Sequence, residues 1–136
     1  MNAKAVAALA ASAVLAPLAL AHAQAASEPV QKTTLQEQAF PGPVNHTVMV
    51  RTIIARGGEV APHTHPGVEM AYVADGQALV KIAGKPDRTL RAGDSFSPAK
   101  GVVHSVRNTG PGPLTIVSTY VVDKTKPIAS PAPAPR

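Results

Sequence analysis

Three of the five histidines in this sequence fall, together with one glutamate, into a pattern that could bind a metal. His63 and His65 are separated by one residue, so on an extended chain both imidazoles project from the same face. Pro66-Gly67 turns the chain, and Glu69 opens the next segment, bringing its carboxylate back toward that side; His104 lies on a later segment. Three imidazoles and a carboxylate converging inside a barrel would hold one divalent first-row transition metal and leave positions for water or substrate. The donors suit iron, manganese, nickel, copper, cobalt or zinc, and donor type alone does not choose among them. Cysteine is absent, which excludes disulfides, thiolate zinc sites, iron–sulfur clusters and a thiol nucleophile.

The elements that must position these groups read as strands. Fourteen prolines and ten glycines in 136 residues argue against a helical bundle, because inside a helix Pro costs about 3 kcal/mol and Gly about 1. With aromatics at 3%, the core must be built from Val, Ile, Leu and Ala, and a platform for stacking nucleic-acid bases is lacking. Val48, Val50, Thr52 and Ile54 alternate with Met49, Arg51, Ile53 and Ala55 as in a half-buried strand that ends at Gly57-Gly58. Asp75-Gly76, between Met70–Val73 and Ala78–Ile82, predicts a two-residue hairpin. Lys85-Pro86-Asp87-Arg88 predicts a type I turn, and the loop Thr109–Pro113 precedes a β-branched run, Leu114–Val122. Evenly spaced short strands predict one all-β domain, an antiparallel double sheet or small barrel. Tyr72 and Met70 alternate with Glu69 and Ala71 and are expected to point away from a metal.

The two ends differ from this middle. Lys4, the apolar run Ala5–Ala21 and the small residues Ala21 and Ala23 form the pattern of a cleavable signal peptide, residues 1–23, with cleavage after Ala23 or Ala25. The expected location is periplasmic or secreted, with no membrane anchor left after cleavage. Residues 24–38 read as a flexible arm or a first edge strand, residues 39–126 as the barrel, and the Pro/Ala-rich residues 127–136 as a disordered tail. The net charge of +5 is dispersed over Arg51, Lys81, Arg88, Arg91 and Arg107, without the basic cluster that nucleic acid would require. His46 stands alone and reads as a surface residue.

The segment Gly57–Asn108 resembles the cupins. Their first signature is Gly, five residues, His-x-His, three or four residues, Glu, six residues, Gly, and Gly57, His63, His65, Glu69 and Gly76 stand at those intervals. The second, Gly, five residues, Pro-x-Gly, two residues, His, three residues, Asn, is met by Gly93, Gly101, His104 and Asn108, with the proline one position early at Pro98. The resemblance implies a single jelly-roll β-barrel, a metal held by His63, His65, Glu69 and His104, and a small-molecule ligand or substrate. A homodimer paired through its sheets is compatible with it.

Such a metal could polarise a bound oxygen, acidify bound water or support oxygen chemistry. One expectation is therefore a metal-dependent enzyme of dioxygenase, decarboxylase or isomerase type, with Glu69 both ligand and proton carrier. The other is a metal-containing binding or sensor module without turnover. Inward-facing Val48, Val50, Ala71, Val80, Ile82, Val106 and Val117 would line an apolar pocket that suits a small aromatic or enolic ligand better than a polyanion.

Overall fold

The computed structural model describes residues 28–42 and 44–134, so the expected signal peptide and its cleavage site lie outside the described residues. The described chain forms ten strands: β1 (Val30–Ala39), β2 (Asn45–Ile54), β3 (Glu59–Thr64), β4 (Val68–Asp75), β5 (Gln77–Ile82), β6 (Arg88–Arg91), β7 (Ser95–Phe96), β8 (His104–Asn108), β9 (Leu114–Asp123) and β10 (Ser130–Pro131). They make two five-stranded sheets, ordered β1-β2-β9-β4-β7 and β10-β3-β8-β5-β6, and every pairing is antiparallel. This is the double sheet that the period of two predicts.

The interior follows from that period. On β2 the buried row is Val48, Val50, Thr52 and Ile54, while Met49 and Arg51 face outward. On β9 the buried row is Leu114, Ile116, Ser118, Tyr120 and Val122. Val117, expected to face inward, therefore lies on the opposite face, because its parity is that of Thr115 and Thr119. The larger apolar cluster joins Ile54, Val73, Val80, Leu90, Val106, Leu114 and Ile116 with their neighbours, and a smaller one joins Val48, Val50, Tyr120 and Val122. Each fully buried Leu or Ile of the larger cluster contributes roughly 1.5–3 kcal/mol over an exposed one.

Two corners bring the sheets together around the interior. The chain leaves β3 in one sheet and enters β4 in the other through His65-Pro66-Gly67, passing so close over β9 that a Cβ on Gly67 would overlap the Val121 carbonyl oxygen. The second corner is Asp75-Gly76. It is not the hairpin expected, since β4 pairs with β7 and β9 whereas β5 pairs with β6 and β8. Gly76 has φ of 87°, so the local demand for positive φ was legible, but a Cβ there would stand 2.7 Å from the Pro113 carbonyl oxygen of the facing loop. The β5–β6 hairpin closes earlier than Lys85-Pro86 suggests, by a Lys85 N–H to Ile82 carbonyl bond of 3.0 Å with Gly84 at positive φ.

The structure decides the first flank and revises the second. Of the two readings of residues 24–38, Val30–Ala39 is the first edge strand, paired along β2, and not a flexible arm; its residues after Val30 are all exposed, so no apolar period marked it. The segment after Lys126, expected to be disordered, is held against the barrel. Ser130 and Pro131 pair with Thr64 and His63, the Ala132 amide donates to the Pro62 carbonyl at 3.0 Å, and Ile128 packs on the smaller apolar cluster.

Candidate metal centre

Each sheet contributes one cross-strand pair to the centre. His63 on β3 stands opposite His104 on β8, and Glu69 on β4 stands opposite Tyr120 on β9. Directly opposed residues of an antiparallel pair share a face, so each pair presents its two side chains together. His63 reaches the interior through a bulge. Between the pairs Val60–Val106 and His63–His104, Ala61 and Pro62 oppose Ser105 alone, and the extra residue lets both Val60 and His63 turn inward. His65 joins from the corner between the sheets. His63, His65, Glu69 and His104 are 8%, 4%, 4% and 1% exposed.

The three imidazoles converge: their donor atoms lie within 4.8 Å of one another, and the His63 and His104 ring centroids are 4.2 Å apart. Every Nδ1 is committed to a backbone carbonyl, which can only accept. His63 Nδ1 donates to Ala61 O at 2.8 Å, His65 Nδ1 to Ile128 O at 2.5 Å, and His104 Nδ1 to Val102 O at 3.0 Å. A neutral ring protonated on Nδ1 carries its lone pair on Nε2. The Nε2 atoms of His65 and His104 both face Oε2 of Glu69 at 3.1 Å, so wherever the rings are neutral acceptor confronts acceptor, and His65 Nε2 is buried without a hydrogen-bond partner. A cation held by the three imidazoles would satisfy their lone pairs, with the Glu69 carboxylate beside two of them to offset its charge. The outer carbonyls hold the rings as ligand histidines are usually held.

Burial and the neighbouring groups pull against each other at Glu69 and His63. Burial alone would raise the Glu69 carboxyl, but hydrogen bonds and charge from the His104 and His65 rings, wherever these carry a proton on Nε2, outweigh it and hold the group far below the usual carboxylate range. Desolvation lowers His63 to about 4 against the opposing pull of the Ala61 carbonyl, so this ring is neutral at pH 7. Tyr120 donates to Glu69 Oε1 at 3.0 Å, and burial, then the Glu69 charge, push its phenol above the usual range. The Ser97 hydroxyl donates to the Glu69 carbonyl at 2.6 Å and fixes the start of β4.

All four residues expected at the site are thus brought together. The structure keeps His46 apart, where its Nδ1 lies 2.7 Å from Glu37 Oε1, and keeps Met70 and Tyr72 on the outer face, 60% and 50% exposed. Asn108 of the second signature serves the fold instead, donating to the Ile54 and Gly112 carbonyls and accepting from the Gly110 amide. The sequence reading missed Tyr120 and the Ile128 carbonyl. Tyr120 was findable, since it shares parity with Ile116 and Ser118; a carbonyl 63 residues from its histidine carries no signal in residue type. The cavity at the quartet is about 20 Å³, lined by Thr52, Val60, Phe96, Ile116, Ser118 and Tyr120 among others. That space alone is room for a water or two, and it shares lining residues with cavities of about 180 Å³ beside His65 and about 230 Å³ beside His63.

A jelly-roll double sheet with a buried, inward-facing cluster of three histidines defines the class to which the chain belongs. The profile of the cupin domain matches residues 50–120, and the protein is a member of that family. Germin-like protein 1-1 of Oryza sativa subsp. japonica is 34% identical over 94 residues, covering 65% of this chain and 44% of that protein. Oxalate oxidase 2 of Hordeum vulgare is 33% identical over 97 residues, covering 65% and 43%. The chain therefore spans less than half the length of these relatives. A solved double-stranded β-helix protein of Klebsiella pneumoniae superposes with a TM-score of 0.66 at 23% identity, covering 82% of this chain and 90% of that one.

Proposed function

We propose that the protein is an exported cupin enzyme that binds one divalent first-row cation through His63, His65, Glu69 and His104 and acts there on a small carboxylic acid. The observation that carries the reading is the shared orientation of the three rings. With each Nδ1 donating to a carbonyl, each Nε2 is left for a proton or a metal, and those of His65 and His104 face the Glu69 carboxylate. When bound, the cation would supply Lewis acidity and, if redox-active, electron transfer to or from a chelated acid. The chain's own part is to hold Glu69 ionised, with Tyr120 fixing one oxygen and leaving Oε2 toward the histidines, and to limit the space beside them to a small oxygen-bearing group. The name of the barley relative favours oxalate within that class. Export rests on Lys4, the Ala5–Ala21 run and the small residues at Ala21 and Ala23.

The test incubates protein reloaded with manganese, iron, cobalt, nickel, copper or zinc with oxalate and follows carbon dioxide. Hydrogen peroxide as co-product marks oxidation by dioxygen, and formate marks decarboxylation. Chelator-sensitive release is expected with at least one metal. Tight oxalate binding without turnover for any metal would overturn the enzyme reading in favour of a metal-containing binding module.

A further inference from the structure

We propose that Lys32 is the anion-binding residue of this centre, fixing the far carboxylate of a small dicarboxylate whose near end reaches the quartet; the inference rests on the metal-centre reading above. Lys32 lies on β1, where the register pairs Val30, Lys32 and Thr34 with Ile54, Thr52 and Val50. Those three partners belong to the buried row of β2, so Lys32 shares their face of the sheet, with its side chain exposed at the edge. It borders three adjoining cavities. One is the space of about 20 Å³ at His63, Glu69 and His104; the second, about 180 Å³, is bounded by His65, Tyr120 and Ile128; the third, about 230 Å³, by His63, Ala129 and Pro131.

Charge points to the ligand class. Among the residues around the cavity at the quartet, Lys32 and Glu69 alone carry formal charge, apart from any charge on the histidines. Among the described residues no carboxylate lies within ion-pair distance of Lys32, whereas Lys81 and Lys126 are each paired with an aspartate. A divalent cation neutralised once by Glu69 leaves one positive charge, and the Lys32 ammonium adds a second. A dianion with two small acid groups complements that arrangement, while a neutral sugar or an aromatic ring would meet the ammonium through hydroxyl or cation–π contacts and leave its charge unneutralised. Two other roles are open to an inward lysine on an edge strand: discouraging edge-to-edge association, and covering apolar surface with its stem. Neither would make ligand affinity depend on its charge.

The experiment titrates oxalate and glycolate into metal-loaded wild-type protein, Lys32→Met and Lys32→Arg by calorimetry, with metal content and melting temperature measured on the same samples. Lys32→Met is expected to weaken oxalate about tenfold, the scale of one charge-assisted hydrogen bond at a partly exposed site, at unchanged metal content. Lys32→Arg is expected to retain most of the affinity, and glycolate, with one carboxylate, to lose less than oxalate. Equal oxalate affinity in wild type and Lys32→Met overturns the inference, as does metal uptake with no binding of either acid. Self-association of Lys32→Met at unchanged affinity overturns it too, in favour of edge protection. A wild-type protein that takes up no metal overturns the reading beneath it, an outcome distinct from the others.

Discussion

Along β9 the interior changes character within a few residues. Leu114 and Ile116 lie in the larger apolar cluster, Ser118 faces the cavity, and Tyr120 bonds to Glu69. The apolar region is complete in itself: its side chains need only each other, and Asn108 beside it satisfies the loop carbonyls and amide that it meets. The polar region is complete only on its outer side, where three carbonyls accept from three Nδ1 atoms; inside, Nε2 of His65 and His104 face Glu69, acceptor against acceptor wherever the rings are neutral. Stability is thus concentrated in one region, while the other holds buried acceptors in an arrangement that a cation would relieve.

That division can be broken from either side. Leu114→Ala empties a fully buried position and is expected to cost about 3 kcal/mol, within the usual range for such truncations, while metal content per folded chain stays unchanged. Denaturant melts with metal analysis on the folded fraction check this, and loss of metal in proportion to stability would mean that the regions are not separable.

Acid should act on the polar region. The pKa of His63 is near 6.5 in the unfolded chain and about 4 in the folded one, so the unfolded state binds the extra proton first as pH falls. The stability that this ring contributes while neutral is present above pH 6.5 and lost between 6.5 and 4, amounting to about 3 kcal/mol by linkage. Glu69, lowered in the folded state, adds to the loss below the usual carboxylate range. Metal-free wild type should therefore lose stability over that window in urea melts, and His63→Gln should flatten the loss. Parallel curves for the two proteins would remove His63 as its source.

The smallest expected effect comes from Tyr120→Phe, which leaves the fold and the four candidate ligands in place and removes one hydrogen bond to the carboxylate. Metal affinity measured against a competing chelator should fall about tenfold. An unchanged affinity would make Tyr120 a packing residue only.

Much of this architecture was legible in the sequence, and the gaps have physical causes. The quartet was legible because ligand type and spacing are local properties, and β2 because one of its faces is buried. The hairpin expected at Asp75-Gly76 failed because residue type reports the φ a turn needs, not which strand lies beside it. β1 lacked a signal because its residues after Val30 are exposed, and its order comes from the ladder with β2. The segment after Lys126 has the composition of a free tail, yet it is held by backbone groups, Ile128 O and the Ala132 amide, that composition cannot display.

The central claim is that the quartet is a metal centre, and elemental analysis of the purified protein tests it most directly. The account predicts about one first-row divalent metal per chain in wild type and in His46→Ala, and none in His104→Ala. It further predicts that stripping the metal lowers wild-type stability by about 4 kcal/mol when the free metal had been near a thousand times its dissociation constant. A wild-type protein that holds no metal after reloading, with a melting temperature indifferent to chelator, would contradict it.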